Sequence, residues 1–226
     1  TDNALNTANY QFTSIESADL TSKALTGTAG VDTFDVTGHN ELTSADIDFT
    51  NVASVDAGDG DDQVNTDAAA LVADTNEALV TNSISFTDIE SADLDSGELT
   101  GTTGTDTFDV TGANALTSAD IDFTNVSSVD AGNGADQVNT NGATLTSETG
   151  IAVDNALMTQ QIAFSSVENL DLANGTLAGS DAADSFEVNG AALTANAISV
   201  TNAASAISAG SGDDEVTVND ASSALT

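Results

Sequence analysis

The chain has 226 residues and sets 37 Asp and Glu against a single Lys and a single His, a formal charge of -36. Such a field repels nucleic acid and anionic membrane surfaces, and leaves cations or the salt of the medium as natural partners. Apolar residues make up 39%, too many and too regularly placed for an acidic disordered tail, while no apolar run is long enough to cross a membrane and no Cys is present to form a disulfide.

The opening TDNALNTANY lacks the basic and apolar regions of a secretory leader, and the pattern around it reads as an excerpt from a longer polypeptide. FTSIESADL (12 to 20) comes next, followed by GTAGVDTFDVTG (27 to 38). There Phe34 and Val36 alternate with Thr33 and Asp35, the two-residue period of a strand with one buried face. Ile47 and Phe49 repeat that alternation against Asp46 and Asp48, and AGDGDDQVN (57 to 65) closes the segment with a glycine-rich turn. AAALVADTNEALVT (68 to 81) is the one stretch with a weak helical spacing.

The cycle then begins again. FTDIESADL (86 to 94) and GTTGTDTFDVTG (101 to 112) lie 74 residues beyond their first copies, and FSSVENLDL (164 to 172) with GSDAADSFEVNG (179 to 190) follow after a further 78. Three repeats result, 1 to 73, 74 to 147 and 148 to 226, expected to form one continuous domain. Inside them the pattern apolar-x-Phe-x-x-apolar recurs as Tyr10/Phe12/Ile15, Ile47/Phe49/Val52, Ile84/Phe86/Ile89, Ile121/Phe123/Val126, Ile162/Phe164/Val167 and Ile198/Val200/Ala203. Its last positions step by 37, 37, 37, 41 and 36 residues, so six related units alternate in odd and even versions.

Repeats of this length cannot bury an apolar face except against their neighbours. Short strands with Gly, Asn, Asp and Ser turns therefore predict an all-β fold, an elongated parallel β-solenoid of six units; tandem β-sandwich adhesin domains are the alternative, with few aromatics to fill such cores.

Each unit carries one Gly-Asp turn. The even ones are AGDGDDQVN (57 to 65), AGNGADQVN (131 to 139) and AGSGDDEVT (209 to 217); the odd ones are GTAGVDTFD (27 to 35), GTTGTDTFD (101 to 109) and GSDAADSFE (179 to 187). These turns resemble the RTX family, whose nonapeptide Gly-Gly-x-Gly-x-Asp-x-apolar-x forms a calcium turn followed by a short strand. The resemblance implies Ca²⁺ as the cofactor. It places Asp62, Asp136, Asp214, Asp32, Asp106 and Asp184 at the family's Asp position and Gly60, Gly134 and Gly212 at its third Gly, with Asp59 alongside. Glycines that turn carbonyls inward, with a carboxylate to complete the oxygen shell, suit a hard cation independently of any family.

Family nonapeptides run in uninterrupted tandem, whereas these turns start 30, 44, 30, 48 and 30 residues apart. If they stack nonetheless, carboxylates about 4.8 Å apart would repel by roughly 1 kcal/mol in water and about 3.5 at an effective dielectric of 20. Calcium would remove that repulsion. The opposing reading makes them bends whose Asp side chains bond their own backbone.

The remaining titratable groups carry no asymmetric site. Glu16, Glu90 and Glu168, with Asp19, Asp93 and Asp171, recur in every copy and read as solvated strand edges; Lys23 and His39 are replaced by Gly97 and Ala113 one repeat later. The expectation is a non-catalytic structural protein at the bacterial cell surface or in the extracellular space: a calcium-stabilised adhesin stalk, filament or surface-layer segment. It would associate with itself head-to-tail or laterally, or continue in a longer chain, without nucleic acid or membrane insertion. A carbohydrate- or ice-binding solenoid is the alternative, although flat Thr ladders are reduced to TGT at 26 to 28 and 100 to 102.

Overall fold

The computed structural model describes residues 4–73, 75–148 and 151–219. Among them every regular element is a strand, and stacked parallel strands form a β-solenoid. The stretch with weak helical spacing is two antiparallel strands, Ala68–Leu71 and Ala78–Thr81. Leu71 and Leu79 face each other across this pair and both are buried, so core packing overrides the helix propensity of the alanines.

The chain divides into two compact units, Thr1–Leu99 with Ala119–Val126, and Thr100–Ser118 with Ser127–Thr226. In the first unit, Phe34, Val64, Ala92 and Phe123 stack in parallel register in one sheet, and Leu25, Val55 and Phe86 in another. Phe34 and Phe86 meet at 6.0 Å between ring centroids, which places the core between the two sheets. In the second unit Phe108, Val138, Leu170 and Val200 stack in one sheet and Val129 on Phe164 in another, with Phe108 and Phe164 in ring contact at 6.1 Å. Phe34, Phe86, Phe108 and Phe164 are all buried, each contributing about 1.5–3 kcal/mol.

Stacked partners such as Phe34 and Val64, or Val64 and Ala92, lie closer in sequence than the 37-residue period. The difference comes from antiparallel meanders. Thr33–Gly38, Glu41–Ser44 and Ile47–Asp56 form one, Ala68–Leu71, Ala78–Thr81 and Ile84–Thr87 the next. In the second unit Gly142–Glu148, Ile151–Thr159 and Ile162–Ser165 form another, as do Ser185–Asn189, Ala192–Ala195 and Ile198–Thr201. The apolar-x-Phe pattern of the sequence is the last strand of each meander, and the 37-residue period counts meanders rather than coils.

Backbone geometry explains why that strand starts where it does. Ala45-Asp46, Asn82-Ser83, Gln160-Gln161 and Asn196-Ala197 all have positive φ at both residues, the signature of the tight hairpin turn that matches strand twist. After each Phe or Val, a single left-handed residue (Asn51, Asp88, Asn125, Ser166 or Asn202) turns the chain through a corner. Val52, Ile89, Val126 and Val167, immediately beyond those corners, are fully buried and lock the bend.

Amides take the place of cationic side chains as carboxylate partners. The Asn51 amide donates to Asp19 at 3.0 Å and the Asn65 amide to Asp35 at 2.6 Å, while Asn125 and Asn202 donate to both oxygens of Asp93 and Asp171. The amide of Asn51 and the Thr21 N–H hold the Asp19 carboxyl below its ordinary range; the Ala173 N–H and the Asn202 amide do the same for Asp171.

Candidate metal centre

The six glycine turns stack as three pairs, each odd turn against the even turn 30 residues later. Gly27 donates its N–H to the Asp56 carbonyl at 2.8 Å, Gly101 to Asp130 at 2.7 Å and Gly179 to Ser208 at 2.7 Å. The approach is too close for side chains: a Cβ on Gly27 would lie 2.1 Å from the Ala57 carbonyl oxygen. Gly58, Gly132 and Gly210 hold φ near +97°, +94° and +93°, a conformation L side chains rarely adopt. Gly60, Gly134 and Gly212 likewise pack directly on the carbonyls of Gly30, Gly104 and Ala182.

Within each pair the two aspartates are joined through the backbone. The Asp32 N–H donates to Asp62 Oδ1 at 2.7 Å, the Asp106 N–H to Asp136 Oδ1 at 2.8 Å, and the Asp184 N–H to Asp214 Oδ1 at 3.1 Å. A third layer completes the first two columns: the Asp62 N–H donates to Glu90 Oε2 at 2.6 Å and the Asp136 N–H to Glu168 Oε2 at 3.0 Å. Glu90 and Glu168 are thus half-buried members of the column, not the solvated edge residues expected from repetition. Their signal was present in the sequence as a carboxylate 28 and 32 residues after the even-turn Asp, a spacing that gains meaning only once the coil length is known.

The odd and even positions differ chemically. Asp32 Oδ2 accepts the Thr28 N–H at 2.6 Å and the Thr28 hydroxyl at 2.9 Å; Thr102 does the same for Asp106 at 2.7 and 2.9 Å. Asp184 accepts the Ser180 N–H and hydroxyl, and the Asn196 amide besides. These three carboxylates cap their own turns. Asp62 and Asp136 are fully buried, and in each Oδ2 has no hydrogen-bond partner among the described residues.

An unpartnered buried carboxylate oxygen costs about 1–3 kcal/mol, more when charged. Burial pushes the Asp62 carboxyl above its usual range; the bond from the Asp32 N–H opposes this, and the charges of Asp32, Glu90 and Asp61 add to it. Burial raises Asp136 in the same way, opposed by the Asp106 N–H and reinforced by the charges of Asp106 and Glu168. Asp214 is half-buried, and Asp59 and Gly60 are exposed on the rim of their turn.

Among the described residues no three His, Cys, Asp or Glu side chains converge closely enough to hold a metal ion by themselves. A cation at Asp62 Oδ2 or Asp136 Oδ2, both closed to solvent, would therefore have to complete its shell with backbone carbonyls. Such a mixed oxygen shell is ordinary for Ca²⁺. No protein-family model, curated protein or solved structure matches the chain.

Proposed function

We propose that the protein is a calcium-stabilised, non-catalytic structural solenoid, a stalk, filament or surface-layer segment of an extracellular adhesin-type repeat protein. The observation that carries the reading is the pair of buried Asp62 and Asp136 carboxylates, each with one oxygen that has no donor among the described residues, beside two further carboxylates of its column. An anion in that position needs either a proton or a cation, and the net charge of -36 favours cation uptake throughout the chain. Millimolar extracellular calcium matches weak, repeated sites. The RTX-like form of the even turns agrees with this, and the recurrence of the same carboxylates in successive copies is unlike the single asymmetric constellation an enzyme requires.

Circular dichroism and hydrodynamic radius, measured in chelator, in Ca²⁺, in Mg²⁺ and in high NaCl, test the reading. Calcium is expected to raise the thermal midpoint more than Mg²⁺ at equal concentration or NaCl at equal ionic strength. Replacing Asp62 and Asp136 together by Asn is expected to abolish that difference. Equal stabilisation by all three salts would reduce calcium to charge screening and overturn the proposal.

A further inference from the structure

The outer face of the first unit opens into a groove of about 620 Å³, a volume within the range of small-molecule sites. Its origin is a mismatch of strand lengths. Thr33–Gly38 pairs with the three-residue strand Gln63–Asn65 only through Asp35, so Val36, Thr37 and Gly38 overhang the point where that neighbour has already turned away into Thr66 and Asp67. Asn82, from the hairpin turn of the next meander, and Asp95 line the remainder.

The floor is a ladder held in place by its own hydrogen bonds. Phe34, Val64 and Ala92 are buried in the core, so in parallel register Asp35, Asn65 and Asp93 form one outward row with Gln63 beside it. The Gln63 amide donates to Asn65 Oδ1 at 2.8 Å and the Asn65 amide to Asp35 Oδ1 at 2.6 Å; Asp93 accepts from the Asn125 amide and the Asp95 N–H. A primary amide carries two N–H donors, so Gln63 and Asn65 each hold a second one beyond these bonds, set beside carboxylate acceptors. Side chains already fixed in this way lose little freedom on binding a ligand.

The second unit shows which property of the ladder is repeated. Asp109, Asn139 and Asp171 stand in the same row, and the Gln137 amide donates to Asn139 and the Asn139 amide to Asp109 as before. Asp67 and Asp95, by contrast, have Asn141 and Ala173 as their counterparts. Hydrogen bonding is kept where charge is not, which argues for a ligand read by hydrogen bonds rather than attracted by charge. The carboxylates of the groove exclude an anion. Among the described residues Val36 is its one large apolar side chain, which leaves nothing for a lipid or an aromatic ligand to pack on.

We propose that the groove binds a neutral saccharide, whose adjacent hydroxyls donate to Asp35 and Asp93 and accept from the amides of Gln63 and Asn65. Each sugar hydroxyl both donates and accepts, and so matches donors and acceptors that stand side by side on the ladder. Without an aromatic platform the site is weak, with gain from several copies in a repeat protein. The proposal does not rest on the calcium reading.

The test is a titration of the whole, isotopically labelled chain, followed by nuclear magnetic resonance at the side-chain amides of Gln63 and Asn65. The probes are neutral tetrasaccharides of glucose, mannose and N-acetylglucosamine, with tetragalacturonate as an anionic probe and the tetrasaccharide of glucosamine as a cationic one. At least one neutral probe is expected to shift both amides at millimolar concentration, with an affinity that persists in about 1 M NaCl, where the Debye length is about 3 Å. Asn65→Ala, followed at Gln63, is expected to weaken that binding roughly tenfold, as loss of a hydrogen bond next to a charged group does. Thr37→Trp, at an exposed position of the overhanging strand, is expected to fill the groove and abolish binding. Circular dichroism identical to the parent verifies that each variant is folded. Failure of every neutral probe to shift the amides overturns the proposal. So does binding confined to the cationic probe and lost in salt, which would make the groove a patch for counter-ions, and so does neutral binding that both variants leave intact.

Discussion

Asp32 and Asp62 occupy the same position of the same turn, 30 residues apart and in direct contact, yet one is a satisfied cap and the other a buried carboxylate with an idle oxygen. The difference lies four residues upstream. Thr28 supplies an N–H and a hydroxyl to Asp32, whereas Asp62 has Gly58 in that place, without a hydroxyl and with its backbone at φ +97°. Thr102 against Gly132 repeats the contrast for Asp106 and Asp136. The same turn thus takes two forms: with Thr or Ser at its second position the carboxylate caps its own turn, and with Gly58 or Gly132 there Asp62 and Asp136 keep an oxygen without a hydrogen-bond partner among the described residues.

The largest expected effect comes from separating the stacked turns. A Gly27→Val substitution places its Cβ 2.1 Å from the Ala57 carbonyl oxygen, and the turn pair must part; a loss of more than about 3 kcal/mol in denaturant unfolding is expected. Retained stability would show that the pairs do not need this close approach.

The second test divides Asp62 by substituent. Asp62→Ala strands the Asp32 N–H and is expected to cost about 1–3 kcal/mol with or without calcium. Asp62→Asn keeps the Oδ1 acceptor and replaces the idle oxygen by a donor, so in chelator it is expected to match or exceed the parent in stability while losing part of the calcium response. If Asn is as harmful as Ala in chelator, the buried charge is not the source of the instability.

A smaller effect converts one class of turn into the other. Thr28→Val removes the hydroxyl bond to Asp32 but keeps the backbone one, with an expected loss of about 1 kcal/mol in chelator and a partial recovery in Ca²⁺. Recovery of equal size with Mg²⁺ would deny that the freed oxygen has become a calcium ligand.

The smallest effect is the pH dependence in chelator. Asp62 and Asp136 have raised folded-state values, so the folded chain binds their protons more tightly than the unfolded chain does. Stability should therefore rise as pH falls through those raised values towards the ordinary carboxylate range near 4, and level off below it. Asp88, raised by burial and by its neighbour Asp56, acts in the same direction. Asp19 and Asp171 act oppositely: their amide and N–H partners stabilise above the ordinary range, and that contribution is lost as pH falls through their lowered values. Both are solvent-screened, so their share is small. Thermal midpoints between about pH 7 and pH 4 should flatten in the Asp62→Asn, Asp136→Asn double variant; an unchanged slope would place the titration elsewhere.

The strands, the repeats and the turn aspartates were legible because each leaves a local mark: Ile47 and Phe49 alternate with Asp46 and Asp48, and Gly58 and Gly60 mark a turn that needs φ no other residue takes easily. The hairpin turns were not legible, since Ala45-Asp46 and Gln160-Gln161 adopt paired positive φ without the usual Asn-Gly signal. Their conformation is imposed by the strands they join. Missing them hid the meanders, and so the 37-residue period did not reveal the coil.

By itself the sequence determined an all-β repeat whose apolar residues can be buried only against neighbouring copies, and a net charge of -36 that one Lys does not offset. Only the tertiary structure decided which carboxylates share a column, because Asp32, Asp62 and Glu90 are brought together by coil length, a quantity set by how many strands fold back before the chain turns the corner. The same packing decided that Asp62 is sealed from water while Asp59, three residues earlier, remains exposed to it.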